Sequence, residues 1–238
     1  MKIDILAFAA HPDDVELCCS GTLIKHAQKG HKTGVIDLTR GELGTRGTAD
    51  TRTEESKIAT QVMNLSVREN LDLEDGFFES NSKNKLLVVQ MIRKYRPDIV
   101  LANAVYDRHP DHARASELVS DACFLSGLIK IETSLNGELQ KAWRPKVVYH
   151  YIQDRYIKPD FIVDISDVFE KRNEAIKAYG SQFYDPNSKE PQTVISTKQF
   201  FESLSARALE MGRIIGAEYG EGFVTERIPG VSDLDAMI

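Results

Sequence analysis

The sequence predicts a Rossmann-like α/β fold, a mostly parallel sheet with helices on both faces. Three observations carry that expectation. Short, nearly continuous apolar runs alternate with helical patterns through the first half of the chain. Such runs suit strands buried on both faces and joined by crossover helices. The composition, 42% hydrophobic and 28% charged, is that of an ordinary globular protein. The 238 residues suit one domain, 1–238, able to bury a core without disulfide staples.

Taken in order, residues 3–10 read as a first strand, rich in β-branched and apolar side chains. A helix over 15–28 follows, because Val15, Cys18, Cys19, Thr22, Leu23, His26 and Ala27 share one helical face. Gly30 stops it, and 32–39 reads as a second strand. Residues 40–50 form a loop with Gly41, Gly44 and Gly47, followed by a helix through Met63 and a short strand over 70–73. Leu87, Met91 and Tyr95 mark a helix over 84–95, Pro97-Asp98 a break, and 99–102 a fourth strand. A polar loop over 106–111 leads into a helix over 113–125. Later strands are expected at 146–152 and 161–164, helices at 168–179 and 197–219, and a surface loop at 185–191. Right-handed crossovers then restrict the topology to a Rossmann-like order.

The net charge is −6 and no basic stripe offsets it. Nucleic acid and anionic membranes are therefore poor partners, and a small-molecule substrate is expected. Cys18, Cys19 and Cys123 are odd in number and match no disulfide framework, which fits a reducing compartment. Cys18 and Cys19 lie on the apolar helix face and read as core. The N-terminal apolar stretch is short and broken by Asp4, so it reads as a strand rather than a signal peptide. No apolar run approaches the ~18 residues of a membrane helix. The expectation is a soluble cytoplasmic protein.

Two motifs carry the chemistry. His11-Pro12-Asp13-Asp14 directly follows strand one, and His109-Pro110-Asp111-His112 follows strand four. In a sheet of order 3-2-1-4-5 these strands are parallel neighbours whose connections leave to opposite faces. A crevice opens at their carboxyl ends, the usual ligand site of such sheets. The two motifs, roughly a hundred residues apart, would meet there. His11, Asp14 and His112 would supply a His₂-carboxylate donor set of the kind that holds catalytic zinc and leaves a position for water. The same donors also suit Fe²⁺, Mn²⁺ or Co²⁺. Against each motif stand simpler readings, a helix N-cap for Asp14 and a turn for His-Pro. A glycine fingerprint is missing after strand one, which argues against a nicotinamide or flavin enzyme. No serine nucleophile elbow occurs. His26, His31 and His150 lack partner spacing; His26 reads as an edge-of-core residue, and the other two as surface or strand-end residues.

At these motifs the chain resembles the LmbE/PIG-L family of zinc-dependent N-acetylglucosaminyl deacetylases. Ala10 to Asp14 and His109 to His112 match its two metal motifs without departure. Residues 39–48, 106–109, 181–184 and 216–223 are similar to the subgroup that serves bacillithiol biosynthesis. The resemblance implies His11, Asp14 and His112 as ligands of one Zn²⁺ per chain. It also implies Asp13 as base and His109 beside the reacting carbonyl, where it would stabilise the oxyanion if protonated. This, and not spacing, separates Asp13 from Asp14. It further implies N-acetylglucosaminyl malate as substrate, cleaved to glucosaminyl malate and acetate, and a homo-oligomer, trimer or hexamer. Arg46 and Arg108 are the expected partners of the malate carboxylates, since guanidinium forks match carboxylates. Asp111 is expected to orient a neighbouring histidine or to cap its helix. Rival expectations are a deacetylase of chitooligosaccharide or of a mycothiol-like conjugate, and a non-catalytic metal- or sugar-binding module.

Overall fold

A computed structural model describes residues 1–234. Strands β1 (Ile5–Ala9), β2 (Thr33–Thr39), β3 (Val67–Leu73) and β4 (Ile99–Ala102) alternate with helices α1 (Asp14–Cys18), α2 (Ser20–Gln28), α3 (Ala49–Met63) and α4 (Ser82–Tyr95). Helix α5 (Pro110–Ser126) follows, then a small hairpin of β5 (Ser134–Leu135) and β6 (Glu138–Leu139). The chain ends with β7 (Val147–Tyr151), β8 (Phe161–Asp164), α6 (Phe169–Lys177), α7 (Lys198–Ile214) and β9 (Gly220–Thr225).

The main sheet has the order β3-β2-β1-β4-β7-β9-β8. The first five of these strands are parallel, and β9 runs antiparallel to both β7 and β8. This is the α/β architecture expected. With β7 as fifth strand, the expected 3-2-1-4-5 order is the one found. Strand period two sends alternate residues of β1 to opposite faces. Leu6 and Phe8 pack with Val89, Ile92, Leu118 and Val119 of α4 and α5. Ile5, Ala7 and Ala9 pack with Val15, Leu23, Met63 and Phe169 on the other face.

Besides the unexpected β5–β6 hairpin and earlier starts for β3 and α5, three elements differ from expectation. The helix over 15–28 is broken at Cys19 (φ −146°), giving α1 and α2. The break creates a second helix start, and the buried Glu221 carboxylate caps it, accepting from Gly21 N (2.9 Å), Thr22 N (2.7 Å) and Thr22 Oγ1 (2.7 Å). The helix over 197–219 stops at Ile214, because Gly216 turns the chain at φ +75°. Strand β9 then enters the sheet where no strand was expected. His150, read as a surface or strand-end residue, sits on β7 and is buried against Ser116, Asn103 and Glu226. Cys18, Cys19 and Cys123 are free and buried, as the apolar pattern required. No described helix is long and apolar enough to cross a membrane.

Candidate metal centre and active site

The site grows from the carboxyl ends of three adjacent parallel strands. After β1 the backbone bends sharply at Asp13, whose φ of +126° is rare for a residue with a side chain. Such a conformation costs of order 1–3 kcal/mol and persists only where the surroundings impose it. Asn103, just past β4, supplies part of that constraint. Its Oδ1 accepts from Ala10 N (3.0 Å), and its Nδ2 donates to Asp14 Oδ2 and Gln153 Oε1 (3.0 Å each). Gln153, just past β7, donates to Asp14 Oδ1 at 3.1 Å. One amide network thus ties three strand ends to a single carboxylate.

His11 and His112 come from the two motifs and meet with ring centroids 5.6 Å apart. Asp14 lies between them: Oδ1 is 3.1 Å from His112 Nε2 and Oδ2 is 3.7 Å from His11 Nδ1. The other nitrogen of each ring faces carboxylates. His112 Nδ1 is 2.5 Å from Asp107, and His11 Nε2 is 3.0 Å from Asp75 and 3.2 Å from Asp111. Carboxylates behind both imidazoles are the usual outer support of metal-ligating histidines. Donors sharing one ion at ~2.1 Å lie roughly 3–3.5 Å apart; the His112–Asp14 pair falls within that range and the His11–Asp14 pair, at 3.7 Å, just beyond it. His109 brings a third imidazole within 4.8 Å of the nitrogens of His11 and His112. A second grouping, His11 with Asp75 and Asp111, also falls within 4.8 Å. It engages the ring nitrogen of His11 that faces away from Asp14. The His11–Asp14–His112 set is the better cation site, because Asp14 stands between two imidazoles that are each backed by carboxylate.

The electrostatics agree with that choice. Burial alone would lower the His11 pKa, but Asp111, Asp75 and Asp14 outweigh it and raise it to about 10. Burial likewise opposes, and Asp14 and Asp107 reverse, the shift of His112, raised to about 9. Asp14 is held well below the usual carboxylate range; burial works against this, and the two histidines overcome it. A field that favours positive charge so strongly also favours a metal ion. Asp13 behaves differently: burial pushes its carboxyl up to about 7, with Arg52 opposing and Asp14 adding to the rise.

His109 is the N-cap of α5. Its Nδ1 accepts from Asp111 N at 3.3 Å. With Nδ1 an acceptor, the proton resides on Nε2, which remains a donor. Burial, together with His11 and His112, lowers the His109 pKa. His109 lines the cleft, its ring 4.6 Å from that of His11 and 5.1 Å from that of His112. Asp111 Oδ2 contacts His11 and accepts from Gly76 N (2.8 Å), while Oδ1 pairs with Arg114 (2.5 Å). It faces a neighbouring histidine, and the cap of α5 is His109.

The two arginines expected at the substrate part company. Arg108 lines the cleft rim, with Nε 3.4 Å from Asp154. Arg46 does not line the cleft. Its side chain is 4% exposed and spent on Glu190 (3.3 Å), Ser188 Oγ (2.7 Å) and Phe183 O (3.4 Å). It fastens the 183–190 segment instead.

Sequence reasoning missed Arg52, Asp75, Asp107, Gln153 and Arg207. Arg52 lies against Asp13 Oδ2 (3.3 Å) and donates to Gln182 Oε1 (2.5 Å). Gly41 makes room for it, since a Cβ at Gly41, itself at φ +65°, would overlap Arg52 Nη1. Asp107 and Gln182 fall inside the stretches that carried the resemblance, and Gln153 stands at a parallel strand's carboxyl end. Those were usable signals. Arg52 and Arg207 on their helices gave none.

A doubly wound sheet thus gathers two imidazoles, the Asp14 carboxylate and the Arg52-paired Asp13 carboxylate in one cleft, a donor set of the kind used by metal-dependent hydrolases. Comparison with known proteins places it more narrowly. Residues 6–123 match the family model described as PIG-L, GlcNAc-PI de-N-acetylase. A diacetylchitobiose deacetylase from Thermococcus kodakarensis is 30% identical over 238 aligned positions, covering 95% of this chain and 84% of that protein. A probable N-acetyl-α-D-glucosaminyl L-malate deacetylase from Bacillus anthracis is 24% identical, covering 75% of this chain and 81% of the other. The crystal structure of the conserved protein TT1542 from Thermus thermophilus superposes with a TM-score of 0.86 at 34% identity, covering 98% of each chain. The chain belongs to the PIG-L/LmbE deacetylase family and is a hydrolytic enzyme.

Proposed function

We propose that this protein, one catalytic domain over residues 1–238, is a zinc-dependent N-deacetylase. Its substrate is N-acetylglucosaminyl malate, and its products are glucosaminyl malate and acetate in bacillithiol biosynthesis. It works in the cytoplasm as a homo-oligomer, a trimer or hexamer. The observation that carries the chemistry is the geometry at β1 and β4. Asp14 stands between His11 and His112, and Asp13 lines the same cleft with Arg52 3.3 Å from its Oδ2.

His11, Asp14 and His112 would hold the cation, with Fe²⁺, Mn²⁺ and Co²⁺ as substitutes suited to the same donor set. When bound, the ion polarises the acetyl carbonyl and makes water acidic enough to attack at neutral pH. Asp13 takes the proton from that water on its carboxylate. Positioned proton transfer of this kind contributes roughly 10²–10⁴ in rate. His109 donates a hydrogen bond from Nε2 to the oxygen that gains charge, an interaction worth about 3–4 kcal/mol at such sites. Asp13 then gives its proton to the departing amine. Its pKa of about 7 suits both halves of that exchange. Asp111 and Asp107 keep the rings of His11 and His112 turned toward Asp14. Arg108, at the rim, is placed to meet a malate carboxylate.

The relative from Thermococcus kodakarensis favours a second reading, a deacetylase of N-acetylated disaccharides. Acetate release separates the two. The zinc-loaded protein is expected to turn over N-acetylglucosaminyl malate with a kcat/KM well above that for diacetylchitobiose or N-acetylglucosamine. Preference for diacetylchitobiose would overturn the malate assignment and leave the deacetylase chemistry standing.

A further inference from the structure

The cleft is lined by three guanidiniums, those of Arg52, Arg108 and Arg207. Arg52 is occupied by Asp13 and Gln182. Arg108 has Asp154 at 3.4 Å, in a pair whose side chains are 43% and 35% exposed. Such an exposed pair is weak and readily exchanged. Arg207 is half-buried and donates only to the backbone carbonyl of Gln153. Among the described residues no carboxylate pairs with it. The buried Arg172 lies near enough for the two like charges to act on each other, which adds to the imbalance. A partly buried cation without a counter-ion is unfavourable, and an incoming anion offsets that cost.

Its position is built by the fold. Phe200, Leu204 and Arg207 stand at i, i+4 and i+7 on α7, so one helix face turns two apolar groups and one cation into the cleft. Gln153 links that cation to the centre, since its carbonyl accepts from Arg207 while its side chain donates to Asp14. Arg108 and Arg207 thus flank the same short segment, one on the Asp154 side chain and the other on the Gln153 carbonyl. Helix α7 lies outside residues 6–123, the stretch that matches the family model and contains both motifs. The catalytic groups and this cation therefore belong to different parts of the chain.

We propose that Arg207 selects the substrate by receiving an anionic group, a carboxylate, on the aglycone of the N-acetylated sugar. The cleft then takes acidic N-acetylglucosamine conjugates in preference to neutral oligosaccharides. The inference rests on the malate reading above and adds to it a residue from α7, taking the place expected of Arg46. Two carboxylates on the aglycone would match two guanidiniums, those of Arg108 and Arg207.

The test compares N-acetylglucosaminyl malate with its neutral dimethyl ester. Acetate release is measured for the wild-type, Arg207→Gln and Arg207→Lys enzymes. Binding of the product glucosaminyl malate is measured by calorimetry in parallel. The wild type is expected to prefer the acid. Arg207→Gln is expected to lower the acid-to-ester ratio of kcat/KM by roughly 10–100-fold, the loss of one hydrogen-bonded charge pair. The change appears mainly in KM and is matched by weaker product binding. Arg207→Lys, which keeps the charge and loses the fork, retains part of the preference. A wild type that prefers the acid while Arg207→Gln keeps the ratio within twofold would overturn the role of Arg207 and leave the malate reading intact. A wild type that treats acid and ester alike would overturn both.

Discussion

At the scale of single residues, two adjacent aspartates meet opposite electrostatic fates. Asp14 is pinned by Asn103, Gln153 and the two histidines, and it stays ionised. Asp13 is turned away by a backbone angle of +126°, meets one cation, Arg52, and is pushed up to about 7 by burial. A base must be deprotonated to act, so activity is expected to rise with pH through that region. Arg52 opposes the upward shift. Arg52→Gln is therefore expected to move the acidic limb of the kcat/KM profile to higher pH, as a pH–rate series on both enzymes would show. A limb that stays in place, or moves to lower pH, would separate Arg52 from the base. The two motifs together, at neighbouring strand ends, made a candidate metal site legible in the sequence. It could not tell Asp13 from Asp14, because the difference lies in φ and in partners from β4, β7 and α3. The resemblance to the family drew that distinction, and the proposed roles rest on it together with this geometry.

At the scale of elements, the loop over 40–50 and the segment over 183–190 act as a pair. Arg46 joins them through Glu190, Ser188 and the Phe183 carbonyl, and Gly47 N also donates to Glu190 (3.2 Å). Thr193, Val194 and Ile195, a few residues on, form part of the cleft wall. Arg46→Ala is expected to speed proteolytic cleavage within 185–191 and to raise KM alike for charged and neutral substrates. Limited proteolysis and steady-state kinetics check this; a loss confined to carboxylated substrates would return Arg46 to the substrate. The strands β1, β2 and β4 were legible because they are buried on both faces and read as unbroken apolar runs. Strand β9 was not, since Gly-Glu-Gly opens it and its Glu221 points at the start of α2. The break at Cys19 was hidden for a related reason. Both halves keep their apolar faces on the same core, so periodicity continues across it.

At the scale of the whole molecule, the doubly wound sheet explains why so few residues carry the chemistry. Strand order places β1, β4 and β7 side by side, and their carboxyl ends deliver His11 to Asp14, Asn103 and Gln153 to one crevice. The α5 start adds His109 and His112, and the later part of the chain closes the far wall with α7. The sequence disclosed the crevice through strand order and the two motifs. It did not disclose α7's cation, because an arginine on an amphipathic helix reads as solvated until the partner surface is known. The central claim is that His11, Asp14 and His112 hold the ion while Asp13 moves the proton. Zinc content and acetate release, measured together on wild type and Asp13→Asn, test it most directly. One zinc per chain is expected in both proteins, with acetate release slower by roughly 10²–10⁴ in the variant. Near-wild-type release from Asp13→Asn, with zinc bound, would contradict it.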